Sequence, residues 1–172
     1  MSRSFAASIA QLGTPLELPV GIAYLLCRIA DTIEDSTVLN VEQRSQLYDG
    51  LTAALNQPEG VHSFADGARA TFAEFTDDES MLMCLSDSVI GYYWALEEAE
   101  IHIMQRWIGE MISGMAQYSR RPTTPRFVIN DQKDLEKYCY YVAGTVGGLL
   151  SELFIYHEED LDKQAKEQLM VR

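Results

Sequence analysis

Apolar side chains recur at helical spacing along almost the whole chain, and no convincing alternating stretch is bounded by hairpin turns of the Asn-Gly type. This pattern predicts an all-α protein. The 172 residues, 47% of them apolar, are enough to bury a core, and neither a repeat nor a linker divides them. We therefore expect one helical domain over residues 1–172.

Capping residues and helix breakers set the expected helix boundaries. Gly13 should stop a short helix that runs from Ser4 to Leu12. Thr14-Pro15-Leu16-Glu17 has the form of a capping box and should start a second helix that runs towards Asp35. The further expected helices are a third between Asn40 and Pro58 that buries Leu47, Leu51 and Leu55, a fourth that buries Phe64, Ala68, Phe72 and Phe75, a fifth from about Ser80 to Tyr118 with at most one break, and a sixth from Asp131 or Asp134 to Tyr156.

The charge balance limits the ligands. With 13 Lys and Arg against 26 Asp and Glu, the net charge at pH 7 is 13 − 26 = −13. A surface this negative makes nucleic acid an unfavourable partner, and it also repels diphosphates. An anionic substrate would therefore need a bridging cation or a local basic group.

The cysteines and the apolar runs bear on the compartment. Cys27, Cys84 and Cys139 are odd in number and form no Cys-x-x-Cys pair, which favours a reducing environment. The longest apolar runs are too short, or too rich in glycine and tyrosine, to span a bilayer, and no signal peptide opens the chain. We expect a cytoplasmic protein, with peripheral membrane contact and the oligomeric state left open.

The second expected helix carries a charged stripe inside an apolar segment. Tyr24, Arg28, Asp31 and Asp35 stand at offsets 0, 4, 7 and 11, and on a helical wheel they fall within roughly 60° of arc. Asp31 and Asp35 lie one turn apart and repel each other. Mg²⁺ would compensate this repulsion, because it takes one or two carboxylates and completes its shell with water and phosphate oxygens.

Two interpretations of this stripe remain open from the residues alone. In the first, Arg28 adds a planar fork for phosphate oxygens and Tyr24 adds a hydroxyl at the rim, which makes a diphosphate site. In the second, the stripe is a solvated helix face with an exposed ion pair between Arg28 and Asp31, which contributes almost nothing to stability.

Three blocks of the sequence resemble the squalene and phytoene synthase family. The first block is Ser2-Arg3-Ser4-Phe5 followed by Tyr24-Leu25-Leu26-Cys27-Arg28-Ile29-Ala30-Asp31-Thr32-Ile33-Glu34-Asp35. The later blocks are Gly114-Met115-Ala116 and Tyr138-Cys139-Tyr140-Tyr141-Val142-Ala143-Gly144-Thr145-Val146-Gly147, which is similar to the family's Tyr-Cys-x-Tyr-Val-Ala-Gly-x-Val-Gly signature. The resemblance extends over nearly the whole chain.

The resemblance implies the N-terminal portion of an isoprenoid synthase helical bundle. It also implies an Mg²⁺-dependent prenyltransferase that joins two farnesyl diphosphates head to head through a cyclopropyl (presqualene) intermediate, with NADPH as a second cofactor if squalene is the product. By this likeness, Asp31 and Asp35 would bind Mg²⁺, and Tyr138 and Arg28 would be catalytic. The residues implied to contact the prenyl diphosphate substrate are Ser2, Ser4, Phe5, Tyr24, Arg28, Val142 and Gly144.

The helix that carries Tyr138 agrees in part with these implied roles. Tyr138, Val142, Thr145 and Leu149 repeat the offsets 0, 4, 7 and 11 and form a mostly apolar stripe. Glycines within this helix, such as Gly144, would permit close approach either of an isoprenoid chain or of a neighbouring helix.

The sequence departs from the family at its end. The family's second acidic motif should follow later than the chain extends, and the acidic residues from Glu158 onward are expected to form a solvated tail. We therefore expect a truncated synthase without the C-terminal helices that hold that motif. The alternatives are a phytoene or dehydrosqualene synthase, or an inactive helical fragment that binds prenyl chains or a partner polypeptide.

Overall fold

The structure is a computed structural model that describes residues 3–121 and 129–158, with side chains from Phe5 onward. Within these ranges it is helical and contains no strand, as the periodicity predicts. The helices are α1 (Arg3–Ile9), α2 (Glu17–Asp35), α3 (Val41–Asn56), α4 (Gly60–Phe72), α5 (Asp78–Cys84), α6 (Ser86–Trp94), α7 (Glu98–Ser119), α8 (Gln132–Cys139) and α9 (Thr145–His157), with a π-helical segment at Tyr140–Gly144 between the last two.

Helix α3 follows the sequence prediction closely. The Asn40 side chain accepts from the Gln43 N–H (2.9 Å) while the Gln43 side chain accepts from the Asn40 N–H (3.0 Å), a reciprocal cap that fixes the first turn. The predicted stripe of Leu47, Leu51 and Leu55 is buried. The helix is therefore confirmed in its start and in its core face.

The start of α2 differs from the predicted capping box. No side chain caps α2, which begins at Glu17, and the Glu17 N–H donates instead to the Gly13 carbonyl (2.8 Å). A backbone turn thus satisfies the first donors, and Thr14 is not needed as a cap. Gly13 adopts φ +66°, a conformation that glycine allows, four residues after the last residue of the short α1.

Two further expectations about the middle of the chain are wrong. Phe75 lies beyond the end of α4 and is 42% exposed, because the chain leaves the helix after Phe72. The stretch expected between Ser80 and Tyr118 is broken twice, by Leu85 at φ −98° and ψ 11° and by the turn before a new capping box at Glu97.

The sixth expected helix contains a wide turn that the sequence analysis did not predict. Asp131 caps its first turn, since the Asp134 N–H donates to Asp131 Oδ1 (2.9 Å). The π-helical segment then separates α8 from α9, and the predicted stripe is uneven: Thr145 and Leu149 are buried, whereas Tyr138 and Val142 are half-buried. Such wide turns occur preferentially at functional sites.

Helix α2 lies at the centre of the packing. It contacts α1, α3, α5, α6, α7 and α9, and its apolar face buries Leu26, Ile29 and Ile33 completely. Helix α7 packs in turn between α3 and α9. Among the described helices, none combines the length and apolar character needed to cross a membrane.

Candidate active site

Arg28 is the centre of the polar edge of α2. Its Nη1 donates to Asp31 Oδ2 (3.0 Å) on the same helix, and its Nη2 donates to Glu79 Oε1 (3.3 Å) on α5. Glu79 was not found by sequence reasoning, because it lies 51 residues away and no motif marks it. The guanidinium therefore has two carboxylate partners, and it is only partly exposed.

Arg28 also lines two cavities. A cavity of about 420 Å³ lies between α1, α2 and α9 and has mostly apolar walls, with Arg28 and Asp31 as its charged residues. A second cavity of about 350 Å³ lies between α2, the segment after it, and the segment from α4 to α5. Asp35 lines the second cavity together with Arg28. The charged stripe of α2 is therefore accessible from both sides.

The acidic side chains of α2 are held in an environment that disfavours negative charge. Burial raises the pKa of Asp31, an effect that the nearby Arg28 opposes and Asp35 reinforces. Burial also raises the pKa of Glu34 to about 7, and its Oε1 lacks a hydrogen-bond partner within the described ranges. Burial is the largest cause of both shifts.

Tyr138 reaches this edge from α8. Its hydroxyl donates to Glu34 Oε2 (3.3 Å), a contact between residues 104 positions apart. Burial and the neighbouring Glu34 both raise the pKa of Tyr138, so its hydroxyl remains protonated at neutral pH. The structure thus brings Tyr138 to the helix that carries Arg28, Asp31 and Asp35.

Of the other residues predicted to contact the substrate, some line the apolar cavity and others lie outside the described atoms. Phe5 lines the apolar cavity, and its ring stacks on Tyr24 with centroids 6.4 Å apart. Ser4 lies in α1 with its side chain outside the described atoms, and Ser2 lies outside the described residues.

Val142 and Gly144 precede the part of α9 that forms the cavity wall. Val142 packs against the core and Gly144 is exposed. The cavity wall is formed about one to three turns after Val142, by Val146, Leu149, Leu150 and Phe154. Val142 and Gly144 belong to the π-helical segment, which shifts the helical register before α9 begins.

The donor chemistry of the α2 edge fits Mg²⁺. Within the described part of the chain, no three Asp, Glu, His or Cys side chains lie close enough to hold a metal together. Magnesium does not require three, since it retains several waters and binds through one or two carboxylates plus phosphate oxygens. Asp31 and Asp35 provide two hard oxygen donors, and the unpartnered Glu34 Oε1 shows that this edge has room for more positive charge.

Comparison with known proteins shows which family the chain is similar to. The family model described as squalene/phytoene synthase matches residues 1–170. Squalene synthase ERG9 of Gibberella zeae is 31% identical over 157 residues, which are 91% of this chain and 32% of that protein. A protein of Arabidopsis thaliana described as inactive squalene synthase 2 is 29% identical over 161 residues, or 94% of this chain and 35% of that protein.

The fold comparison agrees with the sequence comparison. The solved structure of TcSQS with the ligand E5700 aligns with a TM-score of 0.69 and 25% identity, over 98% of this chain and 45% of that one. The chain spans about a third of the length of the curated relatives it matches. The predicted isoprenoid-synthase-like fold is confirmed, and the chain belongs to the squalene/phytoene synthase family.

Proposed function

We propose that the chain carries a prenyl diphosphate site of a squalene-synthase-type transferase. The observation that carries the proposal is the cavity of about 420 Å³ in which Arg28 and Asp31 meet the apolar walls of α1 and α9. The diphosphate would lie against Arg28, and the prenyl chain would lie along Phe5 and Leu149. A charged end and an apolar body match the two halves of such a substrate.

Asp31 and Asp35 would hold Mg²⁺ in this proposal. When bound, the ion neutralises phosphate oxygens and so makes the diphosphate a better leaving group. Arg28 would exchange its contacts with Asp31 and Glu79 for a planar, bidentate contact to the departing phosphate oxygens. Two protein carboxylates and one guanidinium would thus share the charge of the diphosphate.

Tyr138 and the cavity walls would act on the carbon side of the reaction. The proton on Tyr138 Oη, which Glu34 now accepts as a hydrogen-bond partner, would be available to a departing diphosphate oxygen. The apolar wall formed by Val146 and Leu149 would exclude the water that converts an allylic cation to an alcohol.

The whole reaction belongs to the same proposal. Two farnesyl diphosphates would be joined head to head through a cyclopropyl intermediate, followed by reduction with NADPH if squalene is the product. Without the reduction, the product would be of the phytoene or dehydrosqualene type. Residues 1–172 would contribute one helical domain that carries the first acidic motif.

A second candidate function is prenyl-chain binding without turnover. One observation favours it: the similar Arabidopsis protein is described as inactive. In this case the apolar cavity would hold the prenyl chain of the ligand, and the α2 carboxylates would have no catalytic role.

Titration calorimetry with farnesyl thiodiphosphate, which is not cleaved, separates the two candidates. Magnesium-dependent binding by the 172-residue chain, abolished in Asp31→Asn/Asp35→Asn and retained in the surface control Asp49→Asn, supports the diphosphate site. Product formation from farnesyl diphosphate, analysed with and without NADPH, then identifies the transferase. Binding that is independent of magnesium, with no product, indicates the second candidate, and no binding at all contradicts both.

A further inference from the structure

Helix α8 carries Tyr138 but contributes no buried residue to the core. Its main backbone neighbours are the π-helical segment that follows it and α7. Apolar burial therefore does not account for the position of α8, although a catalytic tyrosine needs a defined one. The position must come from other contacts.

A polar cluster joins the end of α7 to the first turn of α8. Arg121 donates from Nη1 to Asp134 Oδ2 (2.5 Å) and from Nη2 to Asp134 Oδ1 (2.7 Å), a bidentate pair. Asn130 donates to Asp134 Oδ2 from its backbone N–H (2.9 Å) and from its side chain (3.0 Å). These hydrogen bonds hold the pKa of Asp134 well below its usual range, with Arg121 as the largest cause.

Tyr118 connects this cluster to Tyr138. Its hydroxyl donates to Asp134, with distances of 2.7 Å to Oδ1 and 2.9 Å to the backbone carbonyl oxygen. The guanidinium carbon of Arg121 lies 3.8 Å from the centroid of the Tyr118 ring. The ring of Tyr138 also packs against the Tyr118 ring, with the two centroids 5.1 Å apart. We refer to Tyr118, Arg121, Asn130 and Asp134 as the Asp134 clamp.

Short and rigid connections join the clamp to Tyr138. Asp134 and Tyr138 are four residues apart, one turn along the same face of α8, so a shift of one carries the other. Tyr118 is fully buried and cannot yield without disturbing the core. The hydrogen bond from Tyr138 to Glu34 is already long, at 3.3 Å, and a small displacement would break it.

We propose that the Asp134 clamp positions Tyr138, by holding α8 on α7 so that the Tyr138 hydroxyl stays within reach of Glu34 and the candidate diphosphate site. Its members are positioning residues, because they contact Tyr138 or its helix and do not line the apolar cavity. The catalytic consequence rests on the proposed function, whereas the structural consequence does not.

Fluorine NMR of the 172-residue chain tests the clamp directly. All nine tyrosines are replaced by 3-fluorotyrosine, and the Tyr138 signal is assigned by its loss in Tyr138→Phe. Asp134→Asn, Arg121→Gln and Tyr118→Phe should shift or broaden that signal. Tyr118→Phe keeps the packed ring and removes only the hydroxyl, so it remains informative if the charge variants fold poorly.

Matched controls separate positioning from general destabilisation. Arg120→Gln changes the neighbouring arginine, which contacts Ser45 and Asp49 on α3. Tyr93→Phe removes another buried hydroxyl, which donates to the Leu55 carbonyl (2.9 Å). Both controls should leave the Tyr138 signal in place. An unchanged Tyr138 signal in all three clamp variants overturns the proposal.

A kinetic measurement adds the second readout. Clamp variants should lower kcat about ten- to a hundredfold with KM changed by less than about twofold, and they should cause no further loss in a Tyr138→Phe background. Losses that are additive with Tyr138→Phe contradict positioning. A Tyr138 signal that moves in a chain without turnover supports the clamp and removes the proposed function, so the two failures are distinguishable.

Discussion

Helices α2 and α8 place their functional side chains by opposite means. Helix α2 is surrounded by six other helices and buries a continuous apolar face, so Arg28 and Asp31 project from a rigid support. Helix α8 contributes no fully buried residue and is held by hydrogen bonds and ring contacts. One side of the candidate site thus depends on apolar packing, and the other depends on a few polar contacts that must all be present.

The largest effect is expected from the core of α2. Leu26 is fully buried, and Leu26→Ala should lower the free energy of unfolding by about 2–5 kcal/mol, because it leaves a cavity that the surrounding helices cannot fill. Urea denaturation followed by circular dichroism measures this loss. A loss below about 1 kcal/mol would show that α2 is not the rigid half of the comparison.

The pH dependence of stability should have opposite signs in the two helices. The pKa of Glu34 is raised from an ordinary 4.5 to about 7, so the unfolded chain ionises first and stability falls as the pH rises through this window. The expected loss is roughly 3 kcal/mol. The lowered pKa of Asp134 acts the other way: its contribution is present above the ordinary aspartate pKa and is lost only in stronger acid.

Urea denaturation in metal-free buffer between pH 4.5 and pH 7 measures the Glu34 contribution. Glu34→Gln should flatten the dependence, because an amide does not ionise. Glu74→Gln, at an exposed position after α4, serves as the control and should retain it. An identical dependence in wild type and Glu34→Gln would show that the buried carboxylate on α2 does not set the slope.

The surface of α7 against which the π-helical segment packs should be sensitive to added side-chain volume. A Cβ at Gly114 on α7 would lie 2.1 Å from the Tyr141 ring, whereas nothing lies within 4 Å of one at Gly109 on the same helix. Gly114→Ala should therefore cost about 1–3 kcal/mol, and Gly109→Ala should be neutral or stabilising by up to about 1 kcal/mol. Thermal unfolding of the two variants gives the comparison, and equal melting temperatures would contradict it.

The smallest effect is expected on the surface of α8. Leu135 is 46% exposed, and Leu135→Ala should change the free energy of unfolding by less than about 0.5 kcal/mol. The measurement is the same urea titration used for Leu26→Ala. A loss of several kcal/mol would mean that α8 is attached by apolar burial after all.

Sequence reasoning identified the features that depend on local pattern. The apolar face of α2, the cap of α3 and the start of α8 at Asp131 follow from spacing and capping chemistry within one turn. The partnership of Arg28 with Glu79 does not, because it depends on where α5 packs. The roles of Asp31, Asp35 and Tyr138 remain predictions that the proposed experiments address.

The parts that were missed involve contacts between distant segments. Asp134 was expected only as an alternative helix start, and its pairing with Arg121 and Tyr118 arises when the ends of α7 and α8 meet. The wide turn was missed because a regular helix with a uniform period of 3.6 residues was expected over this stretch. Val142 and Gly144 were expected in the prenyl pocket from the family resemblance, and this role remains a prediction, since neither is among the residues that line the apolar cavity.

The wide turn at Tyr140–Gly144 amounts to one extra residue inserted into an otherwise regular α-helix. Removing that residue would rotate everything downstream by about 100°. The apolar side chains of α9 that line the cavity would then point away from it, although none of them had been substituted. Which side chains of α9 face the cavity is therefore set by the number of residues in this turn.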